Sequence, residues 1–489
     1  MRTTRTAVAL ALALGLVASV ATAQTQSGAP RQTPPPPQPA KDIRFPAFEQ
    51  KTLGNGLRVV VVEQHETPAV SVQLLVHAGK AYGPPAKAGI AATTAALLRE
   101  GTQTRSSQQI AEAIDSVGGF LSSGATADTA TAMVSVTSDQ IDLGLELLAD
   151  VALRPTFPAE EIERWRRQTL SGLQVQQESA PYLANAAFER VVFGDHPYGL
   201  PETGTPESVQ GITRDDLIAF HRERWVPNGA ILAVVGDVQP ADAFSKVERA
   251  FGSWAKGKEP GVPKLRTVTP EKPRVIVIDK PDAVQTEIRA GHVGMVYTDP
   301  DFFTSQIYNS ILGVGGSARL FQEIRRKRGL SYGASSTFFR AYEPGFFRAS
   351  TFTKTETTAD ALGVLLDVVR GLEEAPVPTD ELESRKTFLT GAFPFEIETP
   401  QGIAGKVLEA MKYGLGREYL ESYRDRLAAV TAPQIQDFAK RRVRLHQGLI
   451  VLVGNASAFR EALEKKVGPV EVIPYKEVDL LRTDLRKAK

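Results

Sequence analysis

Apolar residues recur along the chain in two rhythms, one helical and one extended. In residues 107–117, Ile110, Ala111, Ala113, Ile114 and Val117 fall at helical spacing. In residues 131–137, Ala132, Val134 and Val136 alternate with other residues, as on one face of a strand. Residues 57–62 and 70–78 are rich in β-branched side chains and flank His65-Glu66-Thr67-Pro68, which predicts a hairpin or strand pair. Helices are predicted over 140–153 and 158–177, the second with Pro158 at its start. Further on, the pattern predicts strands at 274–278 and 345–352. It predicts helices at 302–312, 317–328 and 358–371. Strands mixed with helices, without strict alternation, point to an α+β class.

Two stretches of the chain echo each other. Thr213, Leu217, Phe220 and Gly236 have counterparts in Thr431, Ile435, Phe438 and Gly454, all four pairs at one common spacing. The segment from Leu153 through Pro158 to Ile162 resembles that from Leu372 through Pro378 to Leu382, at nearly the same spacing. Two separate segments that agree in this way imply two homologous halves, 45–262 and 273–475. Residues 263–272, within a stretch holding Gly and Pro, read as a linker, and 476–489 as a tail of mixed charge, helical or loose.

Composition narrows the chemistry. The 489 residues are 42% hydrophobic and 23% charged, with 57 Lys+Arg against 56 Asp+Glu. That balance suits a folded protein and provides no broad basic field for nucleic acid. There is no Cys, which removes disulfides, thiolate metal sites and Cys nucleophiles together. Six His remain, and no two lie within five residues of each other. At the N-terminus, Arg2 and Arg5 precede an apolar run to Val20 and then Ala21-Thr22-Ala23. This order predicts a secretory signal over residues 1–23, too short to span a bilayer. Residues 24–44, with Pro34 to Pro37, predict an extended tether. An exported, periplasmic protein without a membrane span is therefore expected.

Three motifs carry a family resemblance. These are Asn55-Gly56-Leu57-Arg58-Val59, Phe193-Gly194-Asp195-His196-Pro197-Tyr198-Gly199, and residues 312–332, LGVGGSARLFQEIRRKRGLSY. Together with the order of the halves, they resemble the M16 family of zinc metallopeptidases, which includes insulinase and the mitochondrial processing peptidase. The resemblance implies an M16 peptidase-like, LuxS-like fold. Each half is then an antiparallel-rich sheet covered by helices. It also implies a zinc site on a first-half helix, in the order His-x-x-Glu-His. Two His at i and i+4 share a helix face and bind one ion, while the Glu activates the bound water.

In this chain the corresponding positions are Ala92, Ala95 and Ala96, flanked by Gly89 and Gly101. The family's third ligand follows about 77 residues later, near Leu173. No Asp or Glu stands between Glu163 and Glu178. No metal ligand and no cofactor is therefore expected in this chain. The second half differs, because Arg325 and Tyr332 keep the family's Arg and Tyr seven apart. By resemblance, Arg325 binds a peptide carbonyl and Tyr332 stabilises an oxyanion in a partner's site. A helix over 317–328 ending at Gly329, with a strand beginning at Leu330 and Tyr332, would present both. Without the surrounding motif, Arg325 would read as a helix-end cation, and the plain alternative for Tyr332 is an amphipathic strand residue.

The expectation is a non-catalytic, substrate-binding subunit that pairs with a chain holding His-x-x-Glu-His and zinc, and acts on peptides. A purely structural scaffold and an autonomous zinc peptidase with atypical ligands are the alternatives. His196 reads as part of a structural turn and His221 as a boundary residue. Gly313 to Gly316 read as a sharp turn, since no Lys-Ser/Thr follows to make a phosphate loop.

Overall fold

The computed structural model describes residues 44–259, 261–266 and 273–487. The expected signal and tether lie outside these residues, apart from Arg44. Among the described residues, no helix is long and apolar enough to cross a membrane.

Two six-stranded mixed sheets organise the chain, one in each half. The first contains β1 (Glu49–Thr52), β2 (Arg58–Glu63), β3 (Ala69–Val76), β4 (Phe120–Ala125), β5 (Ala130–Thr137) and β6 (Ile231–Gly236), in the order β1-β2-β6-β3-β5-β4. The second contains β7 (Arg274–Asp279), β8 (Gln285–Val293), β9 (Ala334–Phe339), β10 (Phe346–Lys354), β11 (Leu449–Gly454) and β12 (Glu471–Pro474), in the order β12-β7-β11-β8-β10-β9. This is the expected α+β architecture of two sheet-plus-helix halves.

The central strands explain the order. β6 and β11 are apolar throughout, and all six residues of each are buried. Such runs are stable only with both faces covered and both edges paired. β6 therefore sits between β2, which it pairs in parallel with Val61 opposite Val234, and β3, which it pairs antiparallel with Val72 opposite Val234. This corrects the expected hairpin, because β2 and β3 are not neighbours. β5 keeps its predicted alternation, with Ala130, Ala132, Val134 and Val136 buried.

The repeated residues have a shared physical role. Thr213 and Thr431 are N-caps, each accepting from the backbone N–H three residues on, and Asp216 and Gln434 close the two capping boxes. Gly236 and Gly454 end the central strands. At Gly236 φ is +138°, and a Cβ there would lie 2.1 Å from the Ala69 carbonyl oxygen. Only glycine fits.

The halves exchange helices. Ala180–Val192, from the first half, packs on β11 and β8, whereas Pro400–Lys412, from the second, packs on β6 and β3. Asn185 accepts from Arg289 Nε at 2.7 Å on one side, and Gln401 Nε2 donates to Ser135 Oγ at 2.9 Å on the other. Ala187 and Phe188 belong to one apolar cluster with Ile276, Ile278, Val451 and Val453, so the core of the first half continues onto one face of the second sheet. A buried polar hub adds to this join. Asp128 is 1% exposed and accepts from Tyr198 O–H, from Tyr342 N–H at 3.1 Å and from Lys412 Nζ at 3.4 Å.

The C-terminal segment differs from the expected helix or loose tail. β12 pairs in parallel with β7. Beyond it, Leu480 and Leu485 are buried and Asp479 N–H donates to the Leu485 carbonyl. The two leucines, with a bond from Arg486 Nη2 to Val472 O at 3.2 Å, tie it down. In the linker stretch, Pro263 O meets His196 Nε2 at 3.1 Å, and Lys264 Nζ and Leu265 N–H donate to Glu343.

Candidate functional site

The helix carrying the alanines runs Ile90–Leu97. Gly89, at φ +94°, starts it, where a Cβ would stand 2.8 Å from the Thr203 carbonyl oxygen. Thr93 is buried and its hydroxyl donates back to Gly89 O at 2.8 Å. Ser123 Oγ, on β4, donates to Ala95 O at 2.6 Å and ties the helix to the sheet. Ala95 is fully buried, whereas Ala92 and Ala96 are half-buried, one turn apart on the same face. The helical frame that two ligands at i and i+4 need is thus present. A methyl group has no lone pair, so these positions offer a zinc ion nothing to bind. Leu173, on helix Ala159–Gln177, is 2% exposed and also lacks a donor atom. Among the described residues, no three or more His, Cys, Asp or Glu side chains gather where they could hold a metal. The residues present do not fit the family's metal.

The segment that carries Arg325 and Tyr332 departs from the prediction. Its helical residues begin near Arg319, and Phe321–Lys327 is wound as a π-helix, not an α-helix. π-Winding inserts an extra residue into the turn and turns side chains away from α-helical register. Gly329, at φ +63°, ends it, with Gly329 N–H bonded to Arg325 O at 3.1 Å and Leu330 N–H to Ile324 O at 2.9 Å. The strand starts at Ala334, so Tyr332 lies in the turn before β9 and not on the strand. Ser331 Oγ donates to Gly333 O at 2.9 Å, and Thr353 Oγ1 donates to Leu330 O at 2.7 Å. These bonds hold the turn while the Tyr332 ring stays 77% exposed.

The structure brings Arg325 and Tyr332 together. Arg325 Nη1 donates to Tyr332 O at 3.1 Å. Its guanidinium lies 4.9 Å from the centre of the Phe321 ring and 5.7 Å from that of Tyr332. Its charged neighbours Lys327 and Arg328 both pair with Glu323. Arg325 has no carboxylate partner among the described residues, and remains a held but uncompensated cation. The family resemblance, with its Arg and Tyr seven apart, pointed to the pair. The aromatic clamp was missed, although Phe321 and Arg325 stand at i and i+4. Arg319 fixes the start of the segment through a two-bond pair to Glu381, at 2.9 and 2.7 Å.

His196 sits in the expected turn, accepting from Tyr198 N–H at Nδ1, so its Nε2–H donates to Pro263 O. Burial holds its pKa below the usual imidazole range. His221 donates from Nε2 to Ala152 O at 2.9 Å, and burial lowers its pKa to about 4. Neither approaches a metal-ligand constellation. Sequence reasoning missed the Asp128 hub, although Tyr198 belongs to a motif it had noted.

Comparison with known proteins agrees with this fold. Residues 58–205 match the family described as Insulinase (Peptidase family M16), and residues 211–389 match the Peptidase M16 inactive domain. An uncharacterized zinc protease of Mycobacterium leprae is 28% identical over 408 residues, covering 83% of this chain and 92% of that protein. A solved structure described as a peptidase M16 inactive domain from Pseudomonas fluorescens superposes with a TM-score of 0.77 at 28% identity, over 83% of this chain and 98% of that one. A protease from Helicobacter pylori shares the fold, with a TM-score of 0.79 at 21% identity, over 83% and 99% of the two chains. With both halves matched and the two-sheet fold shared, this chain belongs to peptidase family M16.

Proposed function

We propose that this protein is a non-catalytic, substrate-binding subunit of a two-chain M16 peptidase, exported to the periplasm. One observation carries the reading. The helix turn where the family holds zinc bears only Ala92, Ala95 and Ala96, while Arg325 and Tyr332 stand exposed and pre-positioned on the second half. The partner, a chain with His-x-x-Glu-His, would hold the zinc ion, which would supply polarisation of the scissile carbonyl and activation of water. This chain's residues do the rest of the work assigned to them. The remaining N–H groups of Arg325 donate to a carbonyl of the bound peptide, and Phe321 keeps the guanidinium from folding back into solvent. The Tyr332 hydroxyl, free of any partner among the described residues, donates to the oxyanion as charge develops.

The test is reconstitution with an exported M16 chain that carries His-x-x-Glu-His. Tyr332→Phe and Arg325→Ala should each lower turnover by about a hundredfold, and the purified single chain should not cleave peptides. Unchanged turnover in both variants would mean a scaffold. One tightly held zinc per isolated chain, with chelator-sensitive activity, would mean an autonomous enzyme.

A further inference from the structure

A second cleft lies at the far end of the second sheet from Tyr332. It opens where β7 and β11 begin and β8 ends, around Arg274, Leu449 and Val293, with a volume of about 490 Å³. β9 begins at the opposite end, Ala334 being opposite Thr351 and Thr351 opposite Ile288. At about 3.3 Å per residue the two places are roughly 20 Å apart along the strands.

The walls of the cleft are of two kinds. Val191 and Val192, at the end of an exchanged helix, together with Pro344 and Leu449, make an apolar side. Arg274, Arg441, Arg442 and Arg444 make the other, and no carboxylate among the described residues lines the cleft. The carboxylates that pair with these arginines are not among the residues that line the cleft. Arg274 shares Glu471 with Arg486, and Arg441 and Arg442 are held by Asp437, Asp299 and Asp301. Among the described residues, five arginines thus face four carboxylates, and the surplus cation is Arg444. Its side chain makes one hydrogen bond among the described residues, from Nε to Arg441 O at 3.2 Å, which leaves both terminal nitrogens available. Its backbone is fixed by donation from its N–H to His292 Nε2 at 3.1 Å, while His292 Nδ1–H donates to Val293 O at 2.8 Å.

The matching end of the first sheet shows what such a place looks like when filled from within. There Lys412, which ends the other exchanged helix as Val192 ends this one, lies over the Tyr342 ring at 5.2 Å. His77 packs on the same ring, and Lys412 is paired with Asp128. In the second half, Arg444 lacks its Asp128.

We infer that this cleft binds the C-terminal end of a peptide, its carboxylate on Arg444 and its last side chain against Val191, Val192 and Leu449. A single surplus positive charge matches a monoanion better than a dianionic phosphate. A planar guanidinium with two free nitrogens matches a carboxylate in two-bond geometry. The volume falls in the range of sites that enclose a ligand of a few residues. The site is separate from the Arg325 turn and needs no partner subunit, so its test stands or falls apart from the proposed function.

The experiment is fluorescence polarisation with the purified full chain and a fluorescein-labelled tripeptide, Ala-Ala-Leu, as the free acid and as the C-terminal amide. The acid should bind saturably, and the amide about tenfold more weakly. Arg444→Gln should lower affinity for the acid by about the same factor, with unchanged circular dichroism, since its side chain is exposed. Arg326→Gln, which removes an equal charge elsewhere on the surface, should bind like the wild type. Equal binding of acid and amide, no saturable binding of the acid, or equal losses in the two Arg variants would overturn the inference. Tighter binding of laurate, the same head on a lipid chain, would overturn the assignment to peptide ends.

Discussion

Replacing Asp128 by Ala should loosen the join between the two halves. The carboxylate is 1% exposed and serves three donors from three separate segments, Tyr198 O–H, Tyr342 N–H and Lys412 Nζ. Without it, a mostly buried ammonium loses its counter-charge, and two buried donors lose their acceptor. Breaking a buried ion pair from one side costs about 3–5 kcal/mol, and each stranded donor about 1–3 kcal/mol if water cannot reach it. Because these losses overlap, about 4–6 kcal/mol is expected in total. Asp128→Asn keeps an acceptor for two of the three donors and should cost less. Asp128→Asn combined with Lys412→Met should recover part of the loss, since no unpaired charge remains. The assay is urea unfolding followed by two signals. All three tryptophans, Trp165, Trp225 and Trp254, lie in the first half, so their fluorescence reports on that half. Far-ultraviolet circular dichroism reports on both. In the wild type the two transitions should coincide, and in Asp128→Ala they should separate, because Tyr342 and Lys412 belong to the second half. Coincident transitions with a loss below about 1 kcal/mol would refute the claim that this hub couples the halves.

Acid should destabilise the protein well above the carboxylate range. His221 and His292 have pKa values lowered to about 4 by burial, against 6.5 for the unperturbed group. Between pH 6.5 and 4 the unfolded chain therefore binds more protons than the folded one, so their contribution is complete above 6.5 and falls away as pH drops through that window. A denaturation midpoint that stays flat from pH 7 to 4.5 would contradict this, while His221→Gln, whose amide can still donate to Ala152 O, should flatten the fall. Gly236→Ala should cost at least about 2 kcal/mol, read as a lower urea midpoint, since its φ is +138° and its Cβ would strike Ala69 O. Ala92→His with Ala96→His should give the chain an i, i+4 metal pair, so that zinc raises its melting temperature and leaves the wild type unmoved. Zinc at about a hundred times its dissociation constant adds about 2.7 kcal/mol, and no shift would mean that the helix face is closed to an ion.

Local chemistry carried much of this protein's structure openly in the sequence. Alternation in β5, the apolar runs of β6 and β11 and the capping boxes at Thr213 and Thr431 are patterns contained within a few consecutive residues. Their meaning is readable before any fold is known. The same holds for Ala92, Ala95 and Ala96, because a methyl side chain lacks a ligand atom wherever the chain puts it. Strand order was not readable in this way. β2 and β3 looked like a hairpin, and only the burial demanded by a fully apolar β6, far later in the chain, placed that strand between them. Nor did periodicity show that Ala180–Val192 and Pro400–Lys412 would each cover the other half's sheet, or that Leu480 and Leu485 would anchor a charged terminus. The clamp of Phe321 and Tyr332 on Arg325 depends on a π-turn, and the Asp128 hub joins segments from both halves. The Arg444 cleft is assembled from the ends of three strands and two helices. Contacts of that kind have no local signature, since what selects them is the removal of distant apolar surface and buried charge from water, which only the assembled chain can accomplish.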